Sequence, residues 1–370
     1  MTESLASPPS PAALGAPTAL KLEFRGSARE YFRVWAVNLC LTLVTAGVFS
    51  AWAKVRKKRY FYSHIVLDGT PFQYLGEPIP ILKGRVVAAA LFLTYYASSH
   101  FFTETLPFVL AAGTVLAPWV VVRSASFNAR YSAYRNMTFR FDSDYRDALK
   151  AIYWLGLIPA MVTGTIFDWW DSSYAPLAVF GAFGLLFPWW LRRVKHYVVA
   201  NTAFGGESGR FSATGGQFFR VYFVAGLLLA AAGAMTAFLA GKLFSHLKAA
   251  EYNFVLVSLP IYLAYVLAYA YVQANSANLV WNQTALGPLR FESTLRTRGL
   301  ALLYITNALG IVASLGLLTP WAVIRTLRYR AENLRVWLDG SLREFRGGAQ
   351  DSVAAAGAEV GEFFDVDLSL

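Results

Sequence analysis

Long apolar runs recur along the chain and alternate with short links that carry most of its charge. The runs lie at positions 34–53, 86–103, 106–122, 149–167, 174–191, 218–241, 253–273 and 300–324. A helix needs about 20 predominantly apolar residues to cross the hydrocarbon core of a bilayer. The pattern therefore predicts an all-α fold: a polytopic α-helical membrane protein of about 6–8 membrane segments, built from internal hairpin repeats.

Basic residues predict which ends of these segments face the cytoplasm. Of the 33 lysines and arginines, all except Lys242 and Lys248 lie in six segments beside the apolar runs. Short cytoplasmic loops of membrane proteins carry such an excess of Lys and Arg. We therefore predict a multi-pass protein of the bacterial inner membrane with both termini in the cytoplasm. The net charge of +11 then belongs to membrane-flanking loops, and no nucleic-acid partner is expected.

Two of the apolar runs do not fit a simple crossing. Runs 34–53 and 300–324 have basic residues on both sides, whereas a straight span would place one of these flanks outside the cell. We favour re-entrant or shallow segments at these two places. The alternative is that one basic flank of each run is external.

Composition sets the class of protein and its boundaries. The chain is 56% hydrophobic and 15% charged, and a soluble domain would carry about 25% charged residues. Positions 1–20 are rich in Pro, Ala and Ser and predict a disordered tail, 21–346 predict the transmembrane domain, and 347–370 predict an acidic tail. The single Cys40 excludes a disulfide within the chain. The four histidines form no pair at metal-ligand spacing, so no metal or cofactor is expected.

A motif of the form W-x-x-x-R-x-x-x-[YF] occurs four times, each time where an apolar run meets a basic link. Its copies are Trp52, Arg56 and Tyr60; Trp119, Arg123 and Phe127; Trp189, Arg193 and Tyr197; and Trp321, Arg325 and Tyr329. Segments 38–69 and 307–340 extend the similarity, and a degenerate unit before Asn282 lacks the Trp and Arg. Short polar or β-prone pieces with a phenylalanine follow the units, for example at Phe72, Phe139 and Phe291. These features predict an internal repeat.

The spacing of the motif places its three side chains along one stripe of a helix. The Trp would lie at headgroup level, the Arg would reach a lipid phosphate, and the third ring could stack on the guanidinium. We interpret the motif as an interfacial anchor whose partners are membrane lipids, mainly anionic headgroups on the cytoplasmic face. In the alternative, the stripes converge into a cytoplasmic lipid collar that gates or binds something.

A resemblance to a known family rests on two stretches of sequence. The run at 24–62 contains F-R-G, E-Y-F, G-V-F-S-A-W-A-K-V-R and R-Y-F-Y, and the chain ends near F-F-D-V-D at 363–367. Both resemble the YjgN family of bacterial inner-membrane proteins. The resemblance implies an inner-membrane location, and because the family has no known molecular function it implies no catalytic residue.

Polar residues within apolar runs are the remaining functional lead. Neither a GxSxG nor an HExxH motif occurs, so an enzyme is not expected. Asn38 and Asn307 occupy matching places in runs 34–53 and 300–324, with a glycine downstream of each, at Gly47 and Gly316. Interrupted apolar segments at matching positions are typical of transporter binding sites, whereas such amides also hydrogen-bond between helices and fix their packing.

Two functions remain open at this point. The first is a transporter or channel for a small solute, with a substrate path lined by Asn38, Thr42, Gly47, Asn307 and Gly316. The second is a non-transporting envelope protein that organises lipids or protein partners through its basic and aromatic loops.

Overall fold

The computed structural model describes residues 17–153, 175–244 and 250–339. Its helices are α1 (Ala28–Val44), α2 (Ser50–His64), α3 (Pro78–His100), α4 (Leu106–Arg130), α5 (Tyr145–Ile152), α6 (Ala175–Asn201), α7 (Gly215–Phe244), α8 (Ala250–Asn282), α9 (Thr297–Ala313) and α10 (Thr319–Glu332). Its strands are β1 (Thr18–Leu20), β2 (Leu22–Phe24), β3 (Ile65–Leu67), β4 (Thr70–Tyr74), β5 (Ser132–Tyr134), β6 (Met137–Phe141), β7 (Thr202–Phe204), β8 (Glu207–Phe211), β9 (Thr284–Leu286), β10 (Leu289–Ser293) and β11 (Leu334–Leu338). The prediction of an all-α fold was wrong, because the links between helices form an 11-stranded sheet.

The same order of elements occurs five times. Among the described residues, a strand leads into a pair of helices and another strand follows the pair. The leading strand has five residues except in β2, and the following strand has three residues except in β11. We call the helix pairs helical hairpins 1 to 5: α1 with α2, α3 with α4, α5 with α6, α7 with α8, and α9 with α10. Each helix packs against the next one in the chain, and α10 packs against α1, so the helices form a closed ring.

The strands form a second ring at the base of the helices, which we call the β-ring. The sheet is antiparallel with β1 and β2 at the two ends of its strand order. Residue Leu20 of β1 pairs with Val336, and Leu22 of β2 pairs with Leu67. Only Lys21 separates β1 from β2 in the chain, so segment 18–24 joins both ends of the sheet and closes it. The ring therefore begins within positions 1–20, where the sequence predicts a tail.

Turns of two residues join the paired strands that follow one another in the chain. Both central residues have positive φ in three of the turns: 48° and 73° at Asp68 and Gly69, 49° and 61° at Arg135 and Asn136, and 57° and 87° at the Gly205–Gly206 pair. Two successive positive φ angles match the right-handed twist of the flanking strands, and Asp, Asn and Gly adopt them most readily. The local sequence thus specifies a β-hairpin between neighbouring helical hairpins.

Apolar side chains fill the inside of the β-ring. One buried cluster draws on every β-hairpin around the ring and consists of Leu20, Leu67, Tyr134, Phe204, Leu286, Leu289, Val336 and Leu338. Phe72, Phe139 and Phe291 pack against it. Burial of this apolar surface is the main force that holds five distant parts of the chain together.

The helices also bury equivalent positions in all five helical hairpins. The residue before each Trp of the motif, and before Tyr271 in helical hairpin 4, is almost fully buried; these residues are Ala51, Pro118, Pro188, Ala270 and Pro320. On the first helix of each pair, the equivalent buried residues are Tyr31, Ile81, Ala148, Phe218 and Leu300. Small or apolar side chains at these places allow the close packing of the helical ring.

The number of membrane segments also differs from the prediction of about 6–8. Three helices in the described ranges are long and apolar enough to cross a membrane: Pro78–His100, Thr103–Arg130 and Gly215–Lys242. Runs 34–53 and 300–324 are each broken by a turn, at 45–49 and 314–318, so neither is one straight helix. Much of run 149–167, like tail 347–370, lies outside the described residues.

Candidate functional site

The tryptophans of the motif lie at one distance along the helix from the β-ring. Each tryptophan lies thirteen residues before the first residue of the strand that follows its helix, as with Trp52 before Ile65 and Trp321 before Leu334. At 1.5 Å per residue this is about 20 Å of helix. Helical hairpin 4 has Tyr271 at the same distance from Thr284. We call these five aromatic residues the tryptophan layer.

Trp and Arg of the motif contact each other in two of its four copies, whereas the third aromatic residue turns inward. The Arg123 guanidinium lies 5.8 Å from the Trp119 ring centre, and that of Arg325 lies 5.1 Å from the Trp321 ring centre. Trp119, Trp189 and Trp321 are exposed. Arg193 is half-buried, with Trp189 packed instead on Phe219, at 4.9 Å between ring centres.

The third residues of the motif pack inside the helical ring. Phe127 is fully buried, Tyr329 lies beside Gly299, and Tyr197 accepts a hydrogen bond from Ser143 at 2.7 Å. The Tyr60 hydroxyl donates to the carbonyl of Ser27 and accepts from its N–H, each at 2.9 Å. Burial raises the pKa of Tyr60, so this hydroxyl stays protonated and remains a donor. The Trp and Arg side chains of the motif thus lie on the outside of the helical ring. The third aromatic residue of each copy packs inside it.

Side-chain donors also link four of the five helical hairpins to the next one around the ring. The acceptor is the carbonyl two residues before the next pair begins: Arg59 bonds Gly76 at 3.1 Å, Arg192 bonds Ala213 at 2.9 Å, Asn278 bonds Leu295 at 2.8 Å, and Arg328 bonds Gly26 at 3.0 Å. The Arg328 bond closes the circle between the two ends of the described chain. The sequence showed Arg59 and Arg328 at matching positions, but not this role.

Asn38 and Asn307 each tie together the two helices of their own short hairpin. The Asn38 amide nitrogen donates to the carbonyl of Ala53 at 3.4 Å, and that of Asn307 donates to the carbonyl of Ala322 at 3.3 Å. Asn38 is 8% exposed and Asn307 is 6% exposed. The two asparagines therefore occupy equivalent buried places, and each bonds within its own hairpin.

The oxygen atoms of these two amides have different surroundings. Asn307 Oδ1 accepts a hydrogen bond from Arg325 Nη1 at 3.2 Å. Asn38 Oδ1 is buried and has no hydrogen-bond partner. Arg56, which corresponds to Arg325, lies instead 5.4 Å from the Phe49 ring centre. The two hairpins thus share a backbone arrangement and differ in the position of one guanidinium.

The other residues of the predicted substrate path lie toward the tips of the short hairpins. The Thr42 carbonyl accepts from the Gly47 N–H at 2.8 Å, and Gly47 and Gly316 both have φ of 92°. Within the described residues, no hydrogen bond joins Asn38, Thr42 or Gly47 to Asn307 or Gly316.

The tips of helical hairpins 1 and 5 are apolar, exposed and close to the tryptophan layer. Helix α2 begins two residues before Trp52, and α10 begins two residues before Trp321. By contrast, α4 begins thirteen residues before Trp119. At the tips, Val44 is 84% exposed and Leu315 is 94% exposed, and Leu315 has a φ of 51°. Leucine rarely adopts this left-handed conformation, so a strained apolar side chain faces outward.

Comparison with known proteins identifies the family. Residues 19–363 match the family described as "Bacterial protein of unknown function (DUF898)". The chain belongs to this family. It is also 26% identical over 150 residues to the "Inner membrane protein YjgN" of Escherichia coli K12, which covers 39% of this chain and 36% of that protein. The resemblance to YjgN is confirmed.

A second relative shows similar coverage. The "Inner membrane protein YjgN" of Salmonella typhimurium LT2 is 24% identical over 143 residues, which is 38% of this chain and 35% of that protein. The chain thus matches only about a third of the length of these relatives. No solved structure matches it.

Proposed function

We propose that this DUF898 protein is an inner-membrane protein that binds and organises anionic lipids of the cytoplasmic leaflet, without transporting a solute. The names of its relatives support the inner-membrane location. Both ends of the described chain meet in the β-ring, where β1 pairs with β11, which supports placing both termini on one side of the membrane. The basic links favour the cytoplasmic side.

The observation that carries the proposal is the shape of helical hairpins 1 and 5. Their tips end about one helical turn beyond Trp52 and Trp321, and the apolar side chains there are exposed. Trp prefers the level of the lipid headgroups. With the tryptophan layer at that level, these tips enter one leaflet only, among acyl chains. Helices α3, α4 and α7 of helical hairpins 2 and 4 are long and apolar enough to continue across the bilayer.

The charge around the tryptophan layer suits anionic headgroups. Arg56 and Arg123 each stand one helical turn after the tryptophan of their copy of the motif, on the side of the β-ring. A basic residue near an anionic surface contributes about 1 kcal/mol to binding. Several such residues around one ring would collect anionic lipid beside the protein.

The hydrogen bonds of Asn38 and Asn307 support packing rather than a solute path. Each amide is at least nine-tenths buried and bonds a carbonyl of its own hairpin. A packed site of this kind would exclude water. In a Cys40→Ala background, Asn38→Cys and Asn307→Cys should therefore resist a small water-soluble thiol reagent. Cys40 must be replaced because it is exposed.

Lipid dependence of stability tests the proposal. The full-length protein is placed in nanodiscs of phosphatidylcholine, with and without phosphatidylglycerol, and its melting temperature is measured. We expect phosphatidylglycerol to raise it by about 2–4 °C. Arg56→Gln with Arg123→Gln should remove most of this rise. Lys242→Gln is the matched control, because Lys242 lies in the link that the charge pattern places outside.

Two results would contradict the proposal. One is an equal melting temperature in both lipid compositions. The other is passage of small solutes into protein-containing vesicles, together with rapid labelling of Asn38→Cys and Asn307→Cys, which would restore the transporter hypothesis.

A further inference from the structure

The base of the helical hairpin 1 tip differs chemically from its equivalent in helical hairpin 5. We call the two places the hairpin-1 corner, formed by Phe49, Ser50, Ala51, Arg56 and Arg85, and the hairpin-5 corner, formed by Leu318, Thr319, Pro320 and Arg325. Their residues correspond along equivalent helices, α2 and α10. The differences concern side-chain cations, backbone donors and one buried oxygen.

Arg56 does not bind the buried amide oxygen of Asn38 in its own hairpin. In the hairpin-5 corner, Arg325 donates to Asn307 Oδ1 at 3.2 Å and to Thr306 Oγ1 at 2.5 Å. In the hairpin-1 corner, Arg56 is exposed and lies over Phe49, and Asn38 Oδ1 remains buried without a partner. An unsatisfied buried acceptor is unfavourable. The position of Arg56 indicates that its guanidinium serves a partner outside the hairpin.

A second guanidinium reaches the same corner from α3. Arg85 Nη1 donates to Ser50 Oγ, next to the Phe49 ring over which Arg56 lies. The equivalent position on α1, which packs beside α10, is Trp35, because both residues stand eight positions after the residue that precedes their helix. The hairpin-1 corner therefore brings together two cations, whereas the hairpin-5 corner has one that is already hydrogen-bonded.

The two corners also differ by one backbone donor, which lies inside the protein. Ala51 in the first turn of α2 keeps its N–H, whereas the equivalent Pro320 in α10 has none. Both residues are fully buried, so this difference does not reach a ligand outside the hairpin, and the side-chain cations distinguish the two corners.

We propose that the hairpin-1 corner binds the phosphate group of an anionic phospholipid and that the hairpin-5 corner does not. This inference rests on the proposed lipid-binding function and gives it a specific site. A planar guanidinium group can donate two parallel hydrogen bonds to two oxygen atoms of one phosphate group. Arg56 and Arg85 both bind the phosphate of the headgroup in this way. Exposed Leu43, Val44 and Val48 lie just beyond the corner and contact the acyl chains. This neighbourhood favours a lipid over a free phosphate ion.

Matched arginine variants test the site. Full-length protein in detergent is titrated with phosphatidylglycerol, and bound lipid is counted by native mass spectrometry. We expect Arg56→Gln to weaken binding about fivefold, and Arg325→Gln to leave it within about twofold. Arg325→Gln should instead lower the melting temperature, because it removes the hydrogen bond to Asn307.

A further variant keeps the test decisive if Arg56→Gln folds poorly. Arg85→Gln should weaken lipid binding to a similar extent from a different helix. Inorganic phosphate at millimolar concentration should not displace the bound lipid.

The outcomes separate this inference from the proposed function. Equal weakening by Arg56→Gln and Arg325→Gln would overturn the site, as would displacement of the lipid by inorganic phosphate. A wild-type preference for phosphatidylglycerol that survives both Arg56→Gln and Arg85→Gln would overturn the site alone. Equal wild-type binding of phosphatidylglycerol and phosphatidylcholine would overturn both the site and the proposed function.

Discussion

Helical hairpins 1 and 5 and helical hairpins 2 and 4 stand on the same β-ring but extend to different lengths beyond the tryptophan layer. Helices α2 and α10 continue for two residues beyond it, α4 for thirteen, and α8 for twenty-one beyond Tyr271. Up to the tryptophan layer, both kinds of hairpin bury the same positions, such as Pro118 and Pro320. The half of each hairpin that lies nearer the β-ring therefore sets the fold. The length of the helices beyond the tryptophan layer determines which hairpins can cross a bilayer.

The comparison also separates two kinds of polar residue. In the short hairpins, buried asparagines hold the two helices together, since each hairpin has little apolar surface of its own to bury. The long hairpins pack through extended helix pairs such as α7 with α8. The hydrogen bonds of Asn38 and Asn307 thus lie within the short hairpins and join their two helices.

Loss of the common base should have the largest effect. Gly209 lies in β8, where a Cβ atom would stand 2.1 Å from the carbonyl oxygen of Val199. The backbone at Val199 cannot move away easily, so Gly209→Val should destabilise the protein by about 3 kcal/mol or more. The short and the long hairpins should lose stability together. Gly216→Ala is the control, because a Cβ there meets nothing within 4 Å. Unfolding in mixed detergent micelles measures both. A neutral Gly209→Val would show that the hairpins do not depend on the β-ring.

The two short hairpins should respond unequally to loss of their asparagines. Asn307→Leu removes bonds to Ala322 and Thr326 and leaves Arg325 without its amide acceptor. Asn38→Leu removes one long bond but also an unpartnered buried oxygen. We expect destabilisation by about 2 kcal/mol for Asn307→Leu and about 1 kcal/mol or less for Asn38→Leu, from the same unfolding measurement. Equal losses would contradict the different roles assigned to Arg56 and Arg325.

Relief of strain at the tips should give the smallest effect, in the stabilising direction. Leu315 has a φ of 51° and Ala46 has a φ of 48°, at equivalent places in the two tips. Glycine adopts this conformation without the Cβ clash, so Leu315→Gly and Ala46→Gly should each stabilise the detergent-solubilised protein by about 0.5–1 kcal/mol. A lower melting temperature for both variants would show that the tips are held by contacts of these side chains.

The sequence was sufficient to predict that the apolar runs are helical and that runs 34–53 and 300–324 are not straight spans, whereas the predicted number of about 6–8 membrane segments was wrong. These features depend on local patterns: apolar runs, basic flanks and a glycine in each tip. The β-ring could not be predicted in the same way. Its strands have three or five residues and lie in basic links, where a short run gives little periodicity. The phenylalanine pieces around Phe72 and Phe139 were recognised as β-prone but not as one sheet.

Long-range contacts explain what else was missed. Closure of the β-ring needs segment 18–24 to pair with both β3 and β11, and β11 lies more than 300 residues later in the chain. Positions 1–20 instead read as a tail because their composition is that of a disordered segment. The inward turn of Phe127 and Tyr197, and the hydrogen bond from Arg328 to Gly26, likewise depend on neighbours from other units.

The depth of the helical hairpin 5 tip tests the central claim most directly. Leu315→Cys and Glu104→Cys are made in a Cys40→Ala background, since Glu104 lies in the turn between α3 and α4. Intact cells with a permeable outer membrane are treated with a thiol reagent that cannot cross the inner membrane. We predict rapid labelling of Glu104→Cys and no labelling of Leu315→Cys, while a nitroxide at position 315 reports contact with acyl chains of the cytoplasmic leaflet. Labelling of Leu315→Cys from outside at the rate of Glu104→Cys would show that helical hairpin 5 crosses the membrane, and would contradict the account.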